Sequence, residues 1–163
     1  MKTAKGPILL IAGGATLLAI LLMMPRVPVK VAEQKSEREL KLDKAIELVN
    51  SGSNPMEGIT ILRELLQENP LDKDALWYLG EFSMKSGQYE NAIGRYETLL
   101  KAMRDDVPET TIGPLMRMAE AYSNLENYEK SIDCLQKVKE LTNDSAITEA
   151  VQTKINELKT IKN

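Results

Sequence analysis

The side chains that most often perform chemistry are scarce in this chain. It contains no histidine, which removes the commonest general base and the commonest transition-metal ligand. Its only cysteine, Cys134, excludes an intramolecular disulfide and a cysteine-based zinc site, and its apolar helical setting is typical of a small core residue. The paired acids Asp105 and Asp106 lie in a loop without a partner base, and no glycine-rich phosphate loop is present. We therefore predict no catalytic residue, no metal site and no cofactor.

The composition favours a helical protein of modest size. The 163 residues suffice for one domain and an appendage, and helix-forming Leu, Glu, Lys, Ala and Met dominate while aromatic residues make up only 4%. The net charge is −3, with neither a basic stripe nor an aromatic ladder of the kind that nucleic-acid-binding proteins carry. These features predict an all-α fold and argue against a nucleic-acid partner.

An apolar segment follows a short basic start. Residues 6–24 carry no charge over 19 positions, and as a helix they would span about 28 Å, close to the hydrocarbon thickness of a bilayer. A cleaved signal peptide needs a small-x-small site soon after its apolar core, whereas the sequence MPRV follows here. We predict an uncleaved signal anchor over residues 1–24, then a membrane-proximal linker and helix start over residues 25–38.

The orientation of this anchor is argued from the flanking charges. A very short basic N-terminus before an apolar segment usually stays in the cytoplasm. In a bacterial inner membrane this orientation would place the body of the protein on the periplasmic side. Basic residues from Arg26 to Lys44 favour the reverse by simple count, but several belong to the first helix after the anchor and alternate with acids. We predict the N-in orientation, and the opposite one stays open.

The most regular stretch of the chain runs from Lys73 to Lys101 and reads as two short amphipathic helices around a tight turn. Counted from Lys73 as position 1, Gly80 falls at position 8 and Ala92 at position 20, where small side chains can let two helices cross at close range. The larger residues stand at positions 4, 7, 17, 24 and 27: Leu76, Leu79, Tyr89, Tyr96 and Leu99. This spacing resembles the tetratricopeptide repeat family. The resemblance implies a stack of helix pairs whose concave face binds peptides or proteins.

The same pattern extends to both sides of this stretch. Helical patterns run from about Val31 to Asn50 and over residues 56–68, and Pro70 stands at position 32 of the first repeat. The sequence RDDVPETTIGP lengthens the second repeat by five residues. We predict an all-α protein with a single transmembrane helix at its N-terminus, followed by an α-solenoid and a capping helix. The solenoid has three repeats (residues 39–143, divided into 39–72, 73–111 and 112–143), and residues 144–163 form the capping helix and tail.

The resemblance also implies which side chains face the groove. Positions 2, 5, 9, 12 and 13 of each first helix tend to face the groove, and the candidate partner-binding residues among them are Asp43, Glu47, Asp74, Trp77, Glu81, Met84, Met116 and Glu120. An acidic groove with an apolar floor favours a basic or amphipathic peptide. The alternatives are that the carboxylates only solvate the helix and that Trp77 packs between repeats.

These features together predict a non-catalytic, membrane-anchored adaptor or scaffold that mediates protein–protein interactions. The architecture is similar to that of bacterial inner-membrane proteins that attach to the Sec translocon or to an envelope assembly complex. Two alternatives stay open. One is a cytosol-facing receptor or tether that recruits soluble proteins, and the other is a purely structural subunit of a larger membrane complex.

Overall fold

The computed structural model describes residues 35–162, so the predicted signal anchor lies outside the described residues. Within 35–162 the chain is helical and contains no strand, and no helix of this part is both long and apolar enough to cross a membrane. The helices are α1 (Glu37–Ser51), α2 (Pro55–Glu68), α3 (Lys73–Lys85), α4 (Tyr89–Ala102), α5 (Ile112–Asn124), α6 (Tyr128–Leu141) and α7 (Ser145–Lys162), with a 3-10 turn (Pro108–Thr111) before α5.

The helices pack mainly on their neighbours in the chain. The pairs α1–α2, α3–α4 and α5–α6 form the most extensive contacts, while α2–α3, α4–α5 and α6–α7 join one pair to the next. This is the layering of a repeat solenoid, in which each unit buries its apolar face against adjacent units. The predicted all-α solenoid of helix pairs is therefore confirmed for the described residues.

The first helix begins later than its sequence pattern suggested. The pattern predicted a helix from about Val31, but residues 35 and 36 are not helical and α1 begins at Glu37. The cause is a capping box, in which the Ser36 hydroxyl accepts from the Glu39 amide (3.2 Å) and the Glu39 carboxylate accepts from the Ser36 amide (2.7 Å). This reciprocal pair satisfies two amide groups that would otherwise lack partners at the helix end. It thereby fixes where the helix starts.

Close approach between paired helices depends on glycine. A Cβ atom added at Gly80 in α3 would lie 2.6 Å from the ring of Tyr96 in α4, and Tyr96 is fully buried. In the first repeat the glycine lies on the second helix instead, since a Cβ at Gly58 in α2 would lie 2.7 Å from the Ala45 carbonyl oxygen in α1. Both distances are shorter than real contacts allow. Each of these two pairs therefore needs one position without a side chain at its crossing point.

Charged contacts between successive repeats supplement the apolar layers. Arg38 donates from Nε and Nη2 to both carboxylate oxygens of Asp72 (2.7 and 2.8 Å), and Asp72 also accepts from the Ala75 amide at the start of α3 (3.0 Å). The Arg38 hydrogen bonds hold the pKa of Asp72, which is only 4% exposed, below its usual value. Across the five-residue insertion, Lys73 donates to Asp106 (2.6 Å). The insertion is thus tied back to the start of α3.

Helix α7 closes the described solenoid. Val151, Ile155 and Leu158 are buried against the preceding repeat, whereas Glu149 and Glu157 are exposed. The Asp144 carboxylate accepts from the Ala146 amide (2.8 Å) and so caps the start of the helix. One buried face and one solvated face are what a helix at the end of a repeat stack requires.

We expect a methyl group to have opposite effects at two helical glycines. Gly80→Ala should destabilise the fold by about 1–3 kcal/mol, because the buried Tyr96 ring leaves no room for it. Gly94→Ala places the same methyl group in open space on α4 and should stabilise the fold by about 0.5–1 kcal/mol. Urea unfolding of both variants measures the difference. Equal free energies of unfolding would contradict the close approach of α3 and α4.

Candidate partner-binding groove

A cavity of about 620 Å³ opens between α3, α5 and α7, with α6 at its floor. We call it the Trp77 pocket. Its walls are mainly apolar, while the charged and polar side chains stand around them. Its lining residues are Trp77, Gly113, Met116, Arg117, Ala119, Glu120, Ser123, Asn124, Ser131, Leu135, Ala150, Val151 and Lys154.

Trp77 forms one wall of this pocket and is half-buried. Its ring lies 5.8 Å from that of Tyr96 at an interplanar angle of 58°, a tilted arrangement that aromatic pairs favour. On the other side, a Cβ atom added at Gly113 would lie 3.6 Å from the indole, so Trp77 packs directly on the start of α5. The two alternatives for Trp77 therefore coexist, because the side chain packs between repeats and also lines the open pocket.

A charged network behind the pocket joins the second repeat to the third. The Tyr96 hydroxyl donates to the Glu81 carboxylate (2.7 Å). Arg117 donates to the same carboxylate from Nη2 (2.9 Å) and forms an ion pair with it, with Nε 2.8 Å from Oε1. Arg117 also donates to Glu120 (2.9 Å). Burial raises the pKa of Tyr96, and the Glu81 carboxylate raises it further, so the phenol stays protonated and continues to donate. The network fixes the orientation of Arg117 at the pocket edge.

The structure brings some of the predicted groove residues together and separates others. Trp77, Met116 and Glu120 line the pocket, and Glu81 lies next to it through Arg117. Met84 is half-buried and packs against the core. The remaining three, Asp43, Glu47 and Asp74, are exposed carboxylates on α1 and α3. Asp43 forms an ion pair with Lys35, and Asp74 forms one with Arg38.

Several pocket residues escaped the sequence reasoning. Arg117 occupies position 6 of its repeat and was not among the groove positions considered, while Leu135, Ala150, Val151 and Lys154 lie on α6 and α7. The last helix was interpreted only as a cap. If α7 is instead interpreted as the first helix of a fourth repeat, Ala150 and Val151 are expected beside the groove.

Charges of both signs surround the opening. Glu120 is 51% exposed and pairs with Arg117, and Lys154 is equally accessible and lies 3.1 Å from Glu157. Within residues 35–162, no group of three or more acidic or cysteine side chains is arranged to hold a metal ion. Cys134 is buried, which raises the pKa of its thiol. The arrangement is suited to holding an apolar side chain beside polar or charged groups.

The stacked helix pairs define a helical repeat protein. The sequence pattern described as tetratricopeptide repeat matches residues 53–109 and again residues 115–141, which together make up just over half of the chain. The chain belongs to the tetratricopeptide repeat family. The family assignment made from residues 73–101 is thus confirmed.

Solved structures show the same fold at low sequence identity. The N-terminal domain of stress-induced protein-1 (STI-1) from C. elegans superposes with a TM-score of 0.59 at 9% identity, over 73% of this chain and 97% of that chain. MamA from Desulfovibrio magneticus RS-1 gives a TM-score of 0.56 at 22% identity over 78% of both chains. MamA from AMB-1 gives 0.57 at 20% identity, over 90% of this chain and 77% of that chain. No curated protein sequence matches the chain.

Two cationic side chains of the pocket should differ in what they contribute to stability. Arg117→Met should cost about 1–3 kcal/mol, because Glu81, whose side chain is 19% exposed, loses its charged partner between repeats. Lys154→Met should cost less than about 0.5 kcal/mol, because it removes only an exposed pair within one helix. Urea unfolding followed by the fluorescence of Trp77, the only tryptophan, measures both. Equal losses would show that the network does not couple the repeats.

Proposed function

We propose that this protein is a non-catalytic adaptor or scaffold that is anchored in a membrane and captures a segment of a partner protein in the Trp77 pocket. The observation that carries the proposal is an open apolar cavity whose wall is a half-buried tryptophan packed against Tyr96. Rigid aromatic side chains in pockets dominate the binding energy of many protein interfaces. Tetratricopeptide repeats in general supply such surfaces for peptides and proteins.

The chemistry of the pocket favours an amphipathic partner segment. Apolar walls from Met116, Leu135 and Val151 suit one apolar side chain of the partner. Arg117 and Lys154 at the opening stand beside Glu120, so a segment with charges of both signs fits better than a uniformly basic one. This modifies the expectation of a purely acidic groove, since the acidity is partly neutralised within the fold.

The remaining predicted groove residues would extend the contact beyond the pocket. Asp43 occupies the same repeat position as Trp77 and Met116, and Glu47 occupies the position of Glu81 and Glu120. Both are exposed, as is Asp74 at the start of α3. We assign these carboxylates to a longer partner segment that runs past the pocket towards the first repeat, with the half-buried Met84 supporting it from the core side.

We place the repeats at the surface of a bacterial inner membrane, on the periplasmic side. The support is the uncharged run of residues 6–24 after a short basic start. A partner that is itself in the membrane, such as the Sec translocon or an envelope assembly complex, fits a repeat domain that begins at residue 35, within about ten residues of the apolar run. The opposite orientation would make the protein a receptor or tether for soluble cytosolic proteins.

We expect partner capture to depend on an exposed methionine of the pocket. Met116→Asp should reduce crosslinking to partners by at least about tenfold, because a carboxylate would have to be desolvated against the apolar walls. Val107→Asp is the matched control, since Val107 is also an exposed apolar side chain but lies outside the pocket. Crosslinking in cells, followed by gentle detergent extraction and mass spectrometry, measures capture.

The outcome of that experiment also separates an adaptor from a structural subunit. If capture survives Met116→Asp but is lost when the apolar run of residues 6–24 is replaced by another membrane segment, the groove proposal is wrong. A structural subunit held through its membrane segment would then explain the result.

Labelling of one introduced cysteine should report the orientation. Ser145→Cys places an exposed thiol at the start of α7, whereas the native Cys134 is buried and its thiol pKa is raised, so it reacts slowly. A membrane-impermeant maleimide added to intact spheroplasts should label Ser145→Cys if the repeats are periplasmic. Labelling only after lysis would place them in the cytosol. The unsubstituted chain is the control for Cys134.

A further inference from the structure

A second groove lies between α2, α3 and α4 and encloses about 380 Å³. We call it the Arg63–Arg95 groove after its two cationic side chains. Its apolar part comes from Met56, Ile59 and Phe82, and it shares no lining residue with the Trp77 pocket. Since successive helical residues are about 100° apart, Trp77 and Phe82 point to different sides of α3. The two cavities are therefore separate surfaces of the same domain.

Arg63 and Arg95 differ from the other arginines of the described chain. Arg38, Arg104 and Arg117 each form an ion pair with a carboxylate. Arg63 and Arg95 form none within residues 35–162, and Arg95 is half-buried. Both unpaired guanidinium groups line the same groove.

The lack of ion pairs at Arg63 and Arg95 is unexpected because the domain is acidic. Residues 35–163 contain 17 basic and 23 acidic residues, so carboxylates are in excess. An arginine that is half-buried without a carboxylate retains unused donors that favour planar, bidentate acceptors. The groove thus offers two donors next to an apolar surface to which Met56, 62% exposed, contributes.

We propose that the Arg63–Arg95 groove docks a short acidic, amphipathic segment of a partner protein. Its carboxylates would pair with Arg63 and Arg95, and an apolar side chain between them would cover Met56 and Phe82. The excess of acidic residues in the domain would repel a long polyanion such as a nucleic acid, and also an anionic membrane surface, whereas a short segment meets only the local positive charge. This surface is independent of the Trp77 pocket and selects a partner of different charge.

The test is a selection from random short peptides displayed on phage, with the full-length Met116→Asp protein in detergent as bait to disable the Trp77 pocket. We expect the selected peptides to combine Asp or Glu with an apolar residue. Their affinity should fall by at least about tenfold when Arg63→Gln and Arg95→Gln are added to the bait. It should stay unchanged when Arg104→Gln is added instead, because Arg104 lies outside the groove and pairs only with its neighbour Asp105.

The proposal is overturned by selected peptides without acidic residues, by equal binding to the bait with both arginines replaced, or by failure to recover any binder. Preferential binding of an oligonucleotide or of anionic vesicles through the same two arginines would also overturn it. The double replacement should leave the urea midpoint unchanged, because neither arginine forms an ion pair in the fold. Since the bait already carries Met116→Asp, a failure here is distinct from a failure of the proposed function.

Discussion

The ring of Tyr96 is the contact on which the middle of this solenoid depends. It lies fully buried beneath Gly80, its edge meets Trp77, and its hydroxyl reaches Glu81, which in turn holds Arg117 of the following repeat. One side chain thus sets the spacing of its own helix pair and the position of the pocket wall, and it also determines the link to the next pair. Because interiors are packed as densely as crystals, a shift of this ring would be transmitted to each of those contacts.

Much of the fold follows from local sequence pattern. Gly80 and Ala92 at fixed spacing, with large residues before, between and after them, predicted the α3–α4 pair, because helical periodicity and crossing distance depend on residues close in sequence. The helical pattern predicted that α1 starts at about Val31, whereas the capping box of Ser36 and Glu39 starts it at Glu37. Side-chain hydrogen bonds at a helix end decide which residue begins the helix, and the spacing of apolar residues does not reveal them.

The candidate site was only partly predictable for a different reason. Trp77, Met116 and Glu120 occupy positions that the repeat pattern singles out, whereas Arg117 enters through a hydrogen bond to Glu81, a residue 36 positions earlier. Which side chains meet across two repeats depends on the rotation of one pair relative to the next, and here a five-residue insertion with a 3-10 turn lies between them. That rotation depends on how the two helix pairs pack together, so it cannot be predicted from the sequence of any single helix. The same limit applies to the Arg63–Arg95 groove, whose two arginines do not occupy equivalent repeat positions.

Packing between neighbours along the chain has a consequence for how the domain forms. Almost all principal helix contacts join consecutive elements, so the average separation in sequence between contacting residues is small. Helical proteins of low contact order fold roughly within microseconds to milliseconds, since little loop-closure entropy is lost before contacts form. Neighbouring pairs can begin to pack as soon as their helices are available, and each further pair then adds to an existing surface. A domain of this kind can acquire its fold progressively along the chain, without waiting for its last helix.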